Sequence, residues 1–104
     1  MTNPKKAGSK DIEEKLASRV PYHTLESLKL YISDGIPPGG FLTAVLENDL
    51  MGAFGRADSQ NAAALFDICA YIHNCVPYRA HGSPERVRAW ITEHAPTGAK
   101  GKSA

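Results

Sequence analysis

Cysteine is scarce in this chain of 104 residues: there are two, Cys69 and Cys75, six positions apart. Within one helix that spacing is roughly 9 Å of rise, too far for a disulfide. The C-x-x-C spacing of metal and redox motifs is missing. The pair is expected to be two small buried thiols in a reducing compartment. Charge of one sign is lacking as well. Twelve Lys and Arg against 11 Asp and Glu leave a net charge of +1. A nucleic-acid binder carries a clear basic excess, so a nucleic-acid-binding regulator ranks behind other readings. Lys5, Lys6, Lys10, Lys100 and Lys102 sit near the two ends and read as solvated tails. Long apolar runs are absent too. No stretch approaches the roughly 18 residues that a membrane span needs. Met1–Lys10 carries charge with no apolar segment behind it, so no secretory signal is expected.

Catalytic signatures are equally thin. The chain has no G-x-S-x-G elbow, no Walker A loop and no H-E-x-x-H helix. The expectation is a protein that is not an enzyme, with no catalytic residue and no cofactor. Its histidines, His23, His73, His81 and His94, are scattered. His73 and His81 together with Cys69 form the one conceivable metal grouping. It lacks a fourth ligand at recognisable spacing, and no metal is expected.

What the sequence does contain is helical periodicity cut by proline and glycine. No strand-like alternation and no internal repeat occurs. Residues 1–10 are polar and expected to be a disordered arm. Asp11–Arg19 has the composition of a short helix that forms when docked, with Asp11 as N-cap. Leu25, Leu28 and Ile32 give an amphipathic stripe over Thr24–Ser33, with Thr24 as cap and Gly35 suited to a left-handed stop. Pro37 or Pro38 is placed to open the next helix, which runs to about Asn48 or Leu50, with an extension to Phe54 left open. Phe41, Leu42, Val45 and Leu46 supply its buried face, continued by Leu50 and Phe54; Thr43 and Glu47 face water. Asp58 is an N-cap for a long helix over Ser59–Cys75, buried through Leu65, Ile68, Cys69 and Ile72, with Val76 beyond and Phe66 widening the stripe. Ser83-Pro84-Glu85 starts the last helix with cap, first-turn proline and first-turn acid, and Val87, Trp90 and Ile91 point inward. Trp90 is expected to pack on the Ser59–Cys75 helix. The reading is an all-α, compact bundle of four short helices with an extra N-terminal one, a single domain over 11–94, and a disordered tail over 95–104.

The ordered set PPGGFL (37–42), NDL (48–50), GRAD (55–58), LFDI (65–68), GSPE (82–85) and Trp90 resembles a widespread set of small proteins encoded by tailed phages and prophages. The resemblance covers about residues 21–93. It implies a phage accessory protein in the host cytoplasm and carries no reaction with it. By class analogy, phage proteins of this size sequester or block components of host defence.

Three constellations are open to a functional and a structural reading. Gly39 and Gly40 either expose helix N–H groups to an anion or only permit a tight turn. Asn48 and Asp49, with Arg56 and Asp58, either form a buried ion pair and caps, or leave Arg56 to grip a phosphate or carboxylate as a fork. Asn61 and Asp67 read as exposed helix positions without a task. Tyr78, Arg79 and His81 beside the Ser83 cap are either loop polars or a stacking and neutralising set for a nucleotide. The candidate ligand residues are therefore Gly39, Gly40, Asn48, Asp49, Arg56, Tyr78, Arg79, His81 and Ser83. The leading expectation is an oligomer that takes up a small anionic signal of the cyclic-nucleotide type. The alternative from a different class is a protein–protein inhibitor of a host-defence complex or nuclease.

Overall fold

The computed structural model describes residues 4–94, with side chains from Asp11 onward. Among them there are only helices: α1 (Pro4–Ala17), α2 (Tyr22–Asp34), α3 (Gly40–Leu46), α4 (Leu50–Arg56), α5 (Ser59–Ala63), α6 (Leu65–Cys75) and α7 (Pro84–His94), with a single 3₁₀ turn at Tyr78–Ala80 before α7. The all-α expectation holds. α1 begins at Pro4, ahead of the expected Asp11, so the arm thought to lack structure is helical from Pro4 on. The reason is local: proline suits a first helical position, and lysine and alanine are good helix formers. The expected tail over 95–104 lies outside the described residues.

Punctuation by proline and glycine falls where the sequence puts it, with three changes. α2 starts at Tyr22 behind Pro21, without a side-chain cap. Thr24 is therefore inside the helix and buried, not its cap. Pro37 and Pro38 precede α3 rather than opening it, because Gly39 stands between them and the helix at φ 97°. The helix expected to run to about Asn48 or Leu50, or on to Phe54, ends at Leu46. Asn48 takes a left-handed φ of 70°. Asp49 N–H reaches the Ala44 carbonyl at 2.8 Å, and Asn48 N–H reaches Val45 at 3.0 Å. That pair of bonds is a Schellman stop, with asparagine in the glycine role. Asp49 then caps α4 through Oδ1, which accepts from the Gly52 N–H at 3.0 Å.

The Ser59–Cys75 helix is divided at Ala64 by a soft bend. The ladder continues through it, with Ala64 N–H on Gln60 at 3.1 Å and Ile68 N–H on Ala64 at 2.8 Å. Of the four anticipated caps, Asp11 and Thr24 lie inside helices, and Asp58 and Ser83 are caps as expected. Asp58 Oδ1 accepts from Asn61 N–H at 2.7 Å, and Ser83 Oγ accepts from Arg86 N–H at 3.1 Å.

The core joins Leu28 and Tyr31 of α2, Leu42 and Leu46 of α3, Ile68, Tyr71 and Ile72 of α6, and Val87 and Trp90 of α7. Within each helix these residues recur at three or four positions, the spacing of one helical face, with Ile72 beside Tyr71 widening it on α6. Two buried polar links tie distant elements. Trp90 Nε1–H donates to the Tyr31 carbonyl at 2.9 Å, and Tyr31 O–H donates to the Ala80 carbonyl at 2.7 Å. Trp90 is thus a core residue, as expected, but its hydrogen bond anchors it to α2. Its outer face is covered by the stacked His94 ring at 3.9 Å. Gly35 ends α2 at φ 69°, and a Cβ there would lie 2.7 Å from His94 Cβ, so glycine also lets α7 close over this corner.

Three expected core residues are outside. Phe66, Leu50 and Phe54 are 81%, 52% and 57% exposed. α4 turns its small residue inward instead, burying Ala53 completely. Cys69 and Cys75 are free and half-buried rather than buried. Thr43 and Glu47, expected to face water, are half-buried.

Candidate ligand-binding site

Of the nine sequence candidates, the structure gathers Gly39, Gly40 and Arg56 around one cleft of about 280 Å³ between α2 and the turn before α3. Arg56, last residue of α4, lies along Gly40. A Cβ on Gly40 would sit 3.4 Å from Arg56 Cδ, ordinary contact that glycine leaves slightly open. Gly39 is exposed, and a Cβ built on it would meet nothing within 4 Å. The opposite wall is His23, Thr24 and Ser27 of α2, with Asp58 and Asn61 at the floor of the α5 start. None of these five stood among the candidates. Thr24 and Asn61 are 37 positions apart and meet only through the fold, the Thr24 hydroxyl donating to Asn61 Oδ1 at 2.7 Å. Asn61, expected on the surface, is therefore buried.

The electrostatics follow from what each charge already does. The one ion pair among the described residues joins Arg79 to Glu93 at 3.6 Å. Of the ion pair and caps that Asp49, Arg56 and Asp58 were open to forming, the caps are present and the ion pair is not: Asp49 and Asp58 each accept from a helix N–H. Arg56 donates only to the Gly52 carbonyl, at 3.3 Å, and remains exposed. A guanidinium with spare donors and no carboxylate partner keeps a planar edge for an oxyanion. Asp49 itself lies with Gly40 and Arg56 along a neighbouring hollow of about 190 Å³ on the far side of the arginine.

The remaining candidates are dispersed. Tyr78 and Arg79 border a second cleft of about 300 Å³ along α7. One face of the Tyr78 ring is already covered by the Arg86 guanidinium at 4.5 Å, and Arg86 also donates to Tyr78 Oη and to the His81 carbonyl. Glu85 and Glu93 line the same cleft and offset its two arginines. Arg86 was missed by sequence reasoning, although its place in the first turn after the Ser83 cap puts it beside the loop. Ser83 is engaged as the cap. His81 turns away, into a third cleft of about 170 Å³ with Asn48, Cys69 and His73.

Burial pushes the His81 pKa below the ordinary histidine value, helped by the nearby His73 and Arg86. Burial also raises the Cys69 thiol, which keeps it away from the reactive thiolate form. Cys69, His73 and His81 line one cleft, yet among the described residues no three His, Cys, Asp or Glu side chains converge closely enough to hold a metal ion. No described helix is long and apolar enough to cross a membrane.

Fold and clefts together define a small all-helical protein with open, shallow hollows of mixed polar and apolar lining. No family model, no curated protein and no solved structure matches the chain.

Proposed function

We propose that this protein works by binding: it takes up a small phosphate-bearing anion of the cyclic-nucleotide type in the cleft over Gly39, Gly40 and Arg56. In an infected host this would withdraw a defence signal from the cytoplasm. The observation that carries the reading is Arg56, exposed at a cleft lined in equal parts by polar and apolar groups, backed by Gly40, and without a carboxylate partner among the described residues. A fork of this kind recognises phosphate in two parallel hydrogen bonds. The phage setting rests on the resemblance of the 37–90 pattern alone. Calorimetry with a panel of cyclic mono- and dinucleotides tests the reading. Heat is expected with the wild type, and Arg56→Gln should weaken binding about tenfold or more, the value of a charge-assisted fork. A flat trace with every member of the panel overturns it, and so does an Arg56→Gln variant that binds unchanged.

A second reading is favoured by a separate observation. Leu50, Met51 and Phe54 stand exposed on α4, and such apolar faces mark contact surfaces. In the anion-capture reading that face joins copies into an oligomer. In the second reading it docks on a host-defence protein as an inhibitor. Recovery of one stoichiometric host protein, lost on Phe54→Lys, favours the inhibitor; a self-associating chain with no such protein favours the oligomer.

A further inference from the structure

Resting on the anion-capture reading, we infer that the cleft takes a single nucleoside monophosphate unit, with Arg56 on the phosphate and the Asn61 amide reading an acceptor on the base.

The starting observation is Asn61. It is only 8% exposed, and its side-chain oxygen accepts the Thr24 hydroxyl at 2.7 Å. Its backbone N–H is taken by Asp58. Its side-chain Nδ2 donates to no group among the described residues, yet no fully enclosed polar atom there lacks a partner. The amide N–H₂ must therefore retain some access, and Asn61 lines the cleft. With the Thr24 hydroxyl donating to Asn61 Oδ1, the amide N–H₂ is the end left for another partner. The result is a nearly buried donor, held in one orientation and without a partner. A donor held in place at the cleft wall costs little ordering when a ligand acceptor replaces the water there, which favours recognition.

A bare phosphate on Arg56 leaves that donor unused. Asp58 stands beside Asn61 with its Oδ1 committed to the cap, which leaves its other oxygen as an acceptor. Adjacent donor and acceptor groups suit the edge of a heteroaromatic base, which presents the same alternation. His23 adds a flat exposed ring to the wall. Size and charge set the upper limit. About 280 Å³ lies just under the usual range of ligand pockets, and one guanidinium in a cleft that the Asp58 carboxylate also lines provides for one phosphate, not several.

Titration calorimetry on the full chain compares inorganic phosphate, the four nucleoside 5′-monophosphates, their 3′,5′-cyclic forms and the free nucleosides. At least one nucleotide should bind about tenfold or more tighter than inorganic phosphate, the discrimination expected from one good base contact. Asn61→Leu, paired with Thr24→Val so that neither hydroxyl nor amide is stranded, should erase that gain and leave phosphate binding in place. His23→Ala, on the surface, should lower nucleotide affinity several-fold without touching phosphate and serves if the double variant does not fold. Phosphate that binds as tightly as every nucleotide overturns this inference while leaving anion capture standing. So do folded variants that keep the wild-type ratio of nucleotide to phosphate affinity. If neither phosphate nor any nucleotide binds, both readings fall.

Discussion

At the residue scale, Tyr31 does more than fill space. Its ring is fully buried, its hydroxyl holds the 3₁₀ turn through the Ala80 carbonyl, and its own carbonyl receives the Trp90 indole. Tyr31→Phe keeps the ring and strands the Ala80 oxygen, so it should lower unfolding free energy by about 1–3 kcal/mol. Burial, with Glu47 adding to it, pushes the Tyr31 pKa up from 10.0 to about 12. The unfolded chain therefore releases this proton first. The stabilisation is whole below pH 10 and is lost as pH rises from there towards 12, a change of the order of 2 kcal/mol. Denaturant melts at pH 9 and pH 11 should show a steep loss for the wild type and a shallower one for Tyr31→Phe. Equal slopes would mean that Tyr31 is not the buried phenol that governs the alkaline side.

The same residue marks a limit of sequence reading. Leu28 and Ile32 were legible as an apolar stripe, yet Tyr31 was not placed in it, because a phenol's burial depends on finding a partner for its oxygen. That partner, Ala80, is 49 positions away. Thr24 and Asn61 escaped for the same reason: each is polar, each lacks a local partner, and only the folded chain brings them together.

At the scale of elements, caps were legible because they are local. Asp58 and Ser83 each bond an N–H three residues on, which is a property of the sequence within one turn. Asp58→Ala and Ser83→Ala should each cost about 1 kcal/mol, the usual worth of a side-chain cap, measured by denaturant unfolding. Gly35 was legible for the same reason. Asn48 was not: the Schellman stop that it makes competes with a helical pattern running through it, and only the packing of α3 against α4 decides between them. The pairing of Asn48 and Asp49 drew attention as chemistry, and its work is to end one helix and begin the next.

The loop between α6 and α7 adds a dependence on acid. His81 has a folded pKa below its ordinary 6.5, through desolvation first and then the charges of His73 and Arg86. The unfolded chain takes up that proton more readily. Stability contributed here is present above pH 6.5 and falls away as pH drops through the lower folded value. His81→Asn should flatten thermal stability between pH 7 and pH 5, whereas the wild type should lose it. A wild-type melting temperature that holds steady across that interval would contradict the assignment.

For the whole molecule, the question is why α4 leaves its large side chains outside. The body is flat, 43 × 42 × 21 Å. A flat, short chain has little interior for its surface, and association with further copies is a common remedy. α4 has the composition for it. Ala53 packs inward, while Phe54 lies one turn from both Leu50 and Met51, and the three are 57%, 52% and 78% exposed. Residues one turn apart share a face, so they form one apolar strip. A strip of one short helix is smaller than the roughly 800 Å² per partner of a stable interface. Association through α4 alone should therefore be weak and depend on concentration. Light scattering behind size exclusion should show the mass rising with protein concentration. The Met51→Lys, Phe54→Lys variant should stay monomeric throughout, at a thermal midpoint within a few degrees of wild type, since exposed positions contribute about 0.5 kcal/mol or less to stability. A wild type that is monomeric at every concentration would leave the α4 strip to a different protein. A variant that unfolds would instead place Met51 and Phe54 among the residues that hold the fold together.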